Sequence, residues 1–145
     1  MPTKSSPTTA TGWVSFIGTG PGDPDLITVR AVELIRAADV VITESAQQVD
    51  LVAQLTAGAT PEVIESDFGG AADLAQAAKA KHVLAAAKAG RRVARLVSGD
   101  AALWSSASDE ATLADEAGIG FEIVPGVSPA AAVPTRSLSA VASFA

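Results

Sequence analysis

The segment Gly18-Thr19-Gly20-Pro21-Gly22-Asp23-Pro24-Asp25-Leu26-Ile27-Thr28 is a side-chain-poor turn set between an apolar run, Trp13 to Ile17, and a helical pattern. A turn of this kind at the carboxyl end of a strand is where open α/β proteins take nucleotide-like ligands. Its glycines let backbone N–H groups approach a ligand closely, while Pro21 and Pro24 remove donors and stiffen the path. Two departures narrow the chemistry. Asp23 stands where a dinucleotide fingerprint wants its third glycine, which sets a carboxylate against any pyrophosphate and argues against NAD or FAD. No Gly-Lys-Ser/Thr tripeptide occurs in the chain, so a Walker-type phosphate loop is excluded and with it ATP or GTP hydrolysis. An acidic, proline-stiffened loop suits a ligand bearing positive charge and hydroxyl donors. S-adenosylmethionine, with its sulfonium, ammonium and ribose diol, meets that description.

Two further segments share this character, Ser98-Gly99-Asp100 and Val124-Pro125-Gly126-Val127-Ser128. In order and spacing the three together closely resemble the amino-terminal domain of the tetrapyrrole methylase family, which includes the uroporphyrinogen-III C-methyltransferases and the precorrin methyltransferases. The resemblance spans roughly Trp13 to Ser137. It implies S-adenosylmethionine as methyl donor, a tetrapyrrole on the route to sirohaem or cobalamin as substrate, and a homodimer for the full-length protein. It also implies donor contacts by Pro21, Ser98, Gly99, Asp100, Leu103, Ser128 and Pro129, mostly through main chain. Glu44 matches a family Asp proposed as proton acceptor. Bland roles compete with these: Asp100 and Ser128 are also reasonable helix caps, and Glu44 a solvated loop residue.

The chemistry asks for little covalent help. Methyl transfer from sulfonium to carbon is an in-line displacement, so a protein must hold the two partners about 3 Å apart and accept a proton from the acceptor carbon. Departures from the family pattern fall on the substrate side. The family's proton-donating Lys would fall near Ser66, and no lysine occurs between Lys4 and Lys79. The proline of Gly-Gly-Asp-Pro is Ala101, and the arginine of Gly-Arg-Gly-Gly-Glu is Ser106. For a polycarboxylate substrate, losing that arginine removes a bidentate contact worth about 1.5–3 kcal/mol. A diverged, non-catalytic methylase-like domain, serving as a binding or interaction module of a tetrapyrrole-pathway fusion such as one with uroporphyrinogen-III synthase, is therefore the competing reading.

The elements that must carry these turns are legible as five apolar runs alternating with helical patterns. They are Trp13 to Ile17, Val40 to Thr43, Glu62 to Glu65, Val93 to Val97 and Phe121 to Val124. Such alternation predicts an α/β fold with an open, mainly parallel five-stranded sheet flanked by helices. Thr28 is placed to cap a helix whose Val29, Val32 and Ile35 or Leu34 face the sheet, ending at Ala37-Ala38-Asp39. An Ala-rich helix from about Ala71 to Ala89 stops at Gly90, and another, Ser106 to Glu116, stops at Gly118. Asp109, Glu110, Asp115 and Glu116 read as the solvated face of the latter. From Ser128 to Ala132 a helix-start pattern precedes Pro134. Residues 1–12, rich in Thr, Ser and Pro, read as a flexible tail, 13–137 as the domain, and 138–145 as the start of a linker to a second, absent domain.

Composition excludes other classes. With 145 residues the chain supports one domain, and its six aromatic side chains leave packing to Val, Leu, Ile and close contacts through Ala. A net charge of −6 argues against a nucleic-acid partner. The one basic cluster, Arg91, Arg92 and Arg95, reads as a helix end and strand flank exposed to solvent. No cysteine and a single histidine, His82, leave no disulfide and no zinc, iron or copper site, and His82 reads as a helix surface residue. No run of transmembrane length and no signal pattern appear, so the expectation is a cytoplasmic protein without a membrane partner.

Overall fold

In a computed structural model, the residues described are 12–58, 61–65, 72–102 and 107–136. Five strands form one sheet: β1 (Trp13–Gly18), β2 (Val40–Thr43), β3 (Glu62–Glu65), β4 (Arg92–Val97) and β5 (Gly120–Val124). Every pairing is parallel, in the order β3-β2-β4-β1-β5. The predicted fold class holds, and β2 and β3 begin and end at the expected residues.

Helices α1 (Val29–Ala37) and α2 (Ala46–Leu55) cover one face of the sheet, while α3 (Ala72–Lys88) and α4 (Ala107–Glu116) cover the other. Under the first pair lie Ile17, Ile35, Val41, Val52, Leu96 and Val124. Burial of a side chain such as Ile35 contributes about 1.5–3 kcal/mol. Under the second pair, Phe16 and Phe121 meet edge to face with ring centroids 6.1 Å apart, among Val14, Val40, Ile42, Val93, Val97 and Ile119 from the sheet and its flanks and a row of helix alanines. Ala87, Ala107, Ala111 and Ala114 are all buried, so these helices sit close to the sheet, as the alanine-rich composition requires.

Local chemistry sets the boundaries. The Thr28 hydroxyl accepts from the Ala31 amide at 3.1 Å and starts α1, but Val29, expected to face the sheet, is 77% exposed. It occupies the first helical position, before the chain has turned its apolar stripe inward; Ala31 and Ile35 are the buried residues. Gly90 ends α3 in the left-handed region at φ 84°, its amide bonded to the Ala87 carbonyl. A fifth helix, α5 (Pro129–Arg136), continues through Pro134 rather than stopping before it. Proline in the second turn forfeits one intrahelical bond, which a helix just begun can bear. At the far end of the sheet order, β3 presents Glu62, Val63 and Glu65 to solvent.

Adjacent strands β1 and β4 send their chains to helices on opposite faces, α1 and α4. A crevice must therefore open between the carboxyl ends of β1 and β4, the place where open parallel sheets bind ligands.

Candidate functional site

Three turns meet at that crevice, and they meet through main chain. The turns after β1 and β4 are joined by a two-way backbone bridge, the Gly20 amide donating to the Gly99 carbonyl at 3.0 Å and the Gly99 amide to the Gly20 carbonyl at 2.9 Å. The turn after β5 closes on both: a Cβ at Gly126 would lie 2.3 Å from the Gly99 carbonyl oxygen and 2.6 Å from that of Gly18. No side chain fits at such a contact. Asp100 locks the same junction, its Oδ1 accepting from the Gly126 amide at 3.0 Å. Asp100 thus cross-ties two turns, a role different from the helix cap considered for it.

Beside the junction lies a cleft of about 100 Å³. Gly20, Pro21, Gly22 and Asp23 line it from the first turn, Ser98 and Gly99 from the turn after β4, and Pro129 from the start of α5. Its remaining wall is the beginning of α2, with Ser45, Gln47, Gln48 and Leu51. Of the expected donor contacts, Pro21, Ser98, Gly99 and Pro129 therefore border one hollow. Asp100 and Ser128 stand outside it; the Ser128 hydroxyl accepts from the Ala130 amide at 3.2 Å and caps α5. Leu103, Ser66 and Ser106 lie outside the described residues.

Gln48 is the residue that sequence reasoning missed. Buried at 4% exposure, it accepts from the Glu44 amide at 2.6 Å and donates to the Thr19 hydroxyl at 3.3 Å, which donates in turn to the Val97 carbonyl. One amide side chain thus ties the ends of β1, β2 and β4. Its signal was present in Ser45-Ala46-Gln47-Gln48, a Ser-x-x-Gln capping pattern at a helix start. The Ser45 hydroxyl does accept from the Gln48 amide, at 3.3 Å.

Glu44 is held away from the cleft by charge. Its Oε1 lies 3.1 Å from Arg95 Nη2 and 3.7 Å from Lys79 Nζ, and its Oε2 accepts from the Ser98 amide at 3.4 Å. The side chain is 22% exposed, so the alternative of a freely solvated loop residue does not describe it. Arg95 overturns its own expectation: rather than a solvent-exposed strand flank it is fully buried, in a two-point pair with Glu110 at 2.9 Å for both contacts. Glu110, expected on a solvated face, is 1% exposed. Burial opposes charge on Arg95, but the Glu110 and Glu44 carboxylates outweigh it and hold its pKa above the ordinary value.

A larger hollow, about 370 Å³, opens at the opposite end of the sheet beside Trp13, Leu34, Arg92 and Glu122. Size does not make it the better candidate. It lies at the amino ends of the strands, away from the crevice that the chain reversal creates and from every turn that the sequence marks.

A sequence model of the tetrapyrrole (corrin/porphyrin) methylases matches residues 14–144. The chain is 44% identical over 127 residues to a precorrin-4 C(11)-methyltransferase of Mycobacterium tuberculosis, covering 86% of this chain and 47% of that protein. It is 32% identical over 123 residues to an S-adenosyl-L-methionine-dependent uroporphyrinogen III methyltransferase of Methanosarcina barkeri, with 85% and 48% covered. Against a sirohaem synthase of Yersinia enterocolitica the identity is 35%, over 82% of this chain and 25% of that one. Among solved structures, a cobalt precorrin-4 methyltransferase superposes with a TM-score of 0.74 at 28% identity, over 91% of this chain and 53% of that one. The uroporphyrin-III C-methyltransferase of Thermus thermophilus gives 0.72 at 30%, over 88% and 53%. The chain thus spans between a quarter and about half of the relatives it matches.

Proposed function

The chain belongs to the tetrapyrrole methylases, and from that membership we propose that it forms the donor-binding lobe of an S-adenosylmethionine-dependent C-methyltransferase acting on uroporphyrinogen III or a precorrin. The observation that carries this reading is the junction of three strand-end turns beside a cleft whose one charged wall residue, among the described residues, is Asp23. Its described walls otherwise offer main chain, the Ser45 and Ser98 hydroxyls, the Gln47 and Gln48 amides and the apolar Pro21, Leu51 and Pro129, and the Asp23 carboxylate favours a cationic, hydroxyl-bearing ligand over a phosphate. Bound there, the donor would supply an electrophilic methyl group on sulfur. Pro21, Ser98, Gly99 and Pro129 border the position from which it would be held, with Gln47 and Gln48 supplying polar side-chain atoms.

A cleft of about 100 Å³ is well under the 300–1,000 Å³ usual for a site that buries a small molecule. On this reading residues 13–137 supply one half of a two-lobed site, and the full-length protein is a homodimer. The 145 residues alone are expected to bind S-adenosylhomocysteine weakly; a submicromolar dissociation constant by titration calorimetry would contradict the two-lobed site.

A second reading has a specific observation in its favour. Glu44, the position matched to the family's proton acceptor, has both oxygens engaged by Arg95, Lys79 and the Ser98 amide. A domain that keeps the donor turns while its acceptor carboxylate is committed to structure would bind without turnover. Calorimetry with S-adenosylhomocysteine on the full-length protein, followed by a methylation assay with uroporphyrinogen III, separates the two. Methylated product supports the enzyme, and binding without product supports the module.

A further inference from the structure

We propose that Arg95 and Glu110 are positioning residues for the donor site, acting through Glu44 to fix the Ser98-Gly99 turn; the inference rests on the donor-binding reading above. Four charged side chains from four elements make one continuous chain of contacts: Glu110 on α4, Arg95 on β4, Glu44 after β2 and Lys79 on α3. Among the described residues, two carboxylates meet two cations in this group. Its inner end is sealed, with Arg95 at 0% and Glu110 at 1% exposure. Its outer end emerges where Glu44 Oε2 receives the Ser98 amide, and Ser98 and Gly99 border the cleft.

Stability does not account for this arrangement. A buried ion pair is often no better than well-packed apolar residues of the same volume, because desolvating both charges consumes the attraction between them. What apolar replacements cannot do is direct a third group. Arg95 is a planar fork with fixed donor directions. Two of its contacts are spent on Glu110, its Nη1 donates to the Leu96 carbonyl at 2.6 Å, and Nη2 also reaches Glu44. The Glu44 carboxylate is thereby oriented with its second oxygen toward the Ser98 amide. Gln48 holds the Glu44 main chain, accepting from its amide, so the residue is tied at backbone and side chain alike. The turn that borders the cleft inherits its direction from an arginine at the centre of the core.

The test uses the full chain, first free of ligand and then with S-adenosylhomocysteine. The double replacement Arg95→Met/Glu110→Met removes both buried charges together, and is expected to stay folded with amide protection retained at Ala31 on the opposite face of the sheet. In it the Ser98 and Gly99 amides should exchange with solvent about tenfold faster than in the parent chain. Affinity for S-adenosylhomocysteine should fall by a similar factor. Unchanged exchange at Ser98 and Gly99 in the folded double variant overturns the proposal. If that variant does not fold, Glu44→Gln at the partly exposed outer end decides in the same way, with faster Ser98 exchange expected and parental exchange fatal. Should the parent protein take up no S-adenosylhomocysteine even when full length, the donor reading fails, while the exchange comparison still judges the network.

Discussion

The two ends of the sheet are closed by different means. At the carboxyl end, glycine turns touch main chain to main chain, and the ion pair behind them is sealed in the core. At the amino end main-chain bonds also join the elements, the Gly12 amide donating to the Ala87 carbonyl at 2.8 Å and the Asp39 amide to the Arg92 carbonyl at 2.9 Å, but the charged ties there lie at the surface: Arg91 with Glu62 at 2.7 Å, Arg92 with Asp39 at 3.4 Å, and Arg30 with Glu122 at 3.0 Å. Arg91, Arg92 and Arg30 are each more than a third exposed, against none of Arg95. Surface pairs tolerate change because solvent replaces a lost partner, whereas a sealed pair or a backbone contact has no substitute. The charged ties beside the larger hollow are thus the forgiving ones, and those behind the smaller cleft are not, as the proposed donor site requires.

Substitutions should grade in that order. Arg95→Ala strands Glu110 in the core and is expected to cost about 3–5 kcal/mol in urea unfolding; a loss under about 1 kcal/mol would break the contrast. Gly126→Ala forces a methyl against the Gly99 and Gly18 carbonyls and should cost about 1–3 kcal/mol. At the other end, Glu122→Ala takes the acceptor from the Trp13 indole and the Ser15 hydroxyl, and should lower stability by about 1 kcal/mol in the same measurement.

The smallest effect sharpens the comparison through pH. The Arg92 backbone amide, its guanidinium and the charge of Arg91 hold the Asp39 carboxyl below its ordinary value of 3.8, with burial opposing. A carboxyl lowered in the folded state adds stability above its unfolded pKa and loses it as pH falls through the folded one. Asp39→Asn should therefore cost roughly 0.5 kcal/mol at neutral pH, with solvent screening, and nothing in strong acid. A gap between parent and variant urea midpoints that persists in acid would refute the assignment.

Where the sequence spoke through nearest neighbours, the structure follows it. Thr28 caps α1, Gly90 and Gly118 end their helices at positive φ, and the runs Val40 to Thr43 and Glu62 to Glu65 are strands with the expected limits. The family resemblance named four residues that border the cleft, Pro21, Ser98, Gly99 and Pro129, and three, Asp100, Leu103 and Ser128, that lie outside it or outside the described residues. What was hidden depends on partners distant in the chain. Arg95 reads as exposed when charge alone is considered, yet it sits in Val93-Ala94-Arg95-Leu96-Val97. A central strand of a parallel sheet is covered on both faces, so an arginine in that run has nowhere to go but inward. Glu110 becomes its partner only once α4 is laid over β4. Glu44 was singled out for chemistry by its match to a family Asp, and its place at a strand end puts it within reach of Arg95, Lys79 and the Ser98 amide.

The outermost ribbon of the sheet carries one further consequence. β3 sets Val63 and Ile64 between Glu62 and Glu65, so the two β-branched residues best suited to recruit a foreign strand are flanked by negative charge on either side. A second copy aligning there would bring like charges together along the ribbon. Acids at the two ends of a β-branched pair disfavour strand-to-strand pairing with a second copy, Glu65 more than Glu62, which Arg91 holds at 2.7 Å.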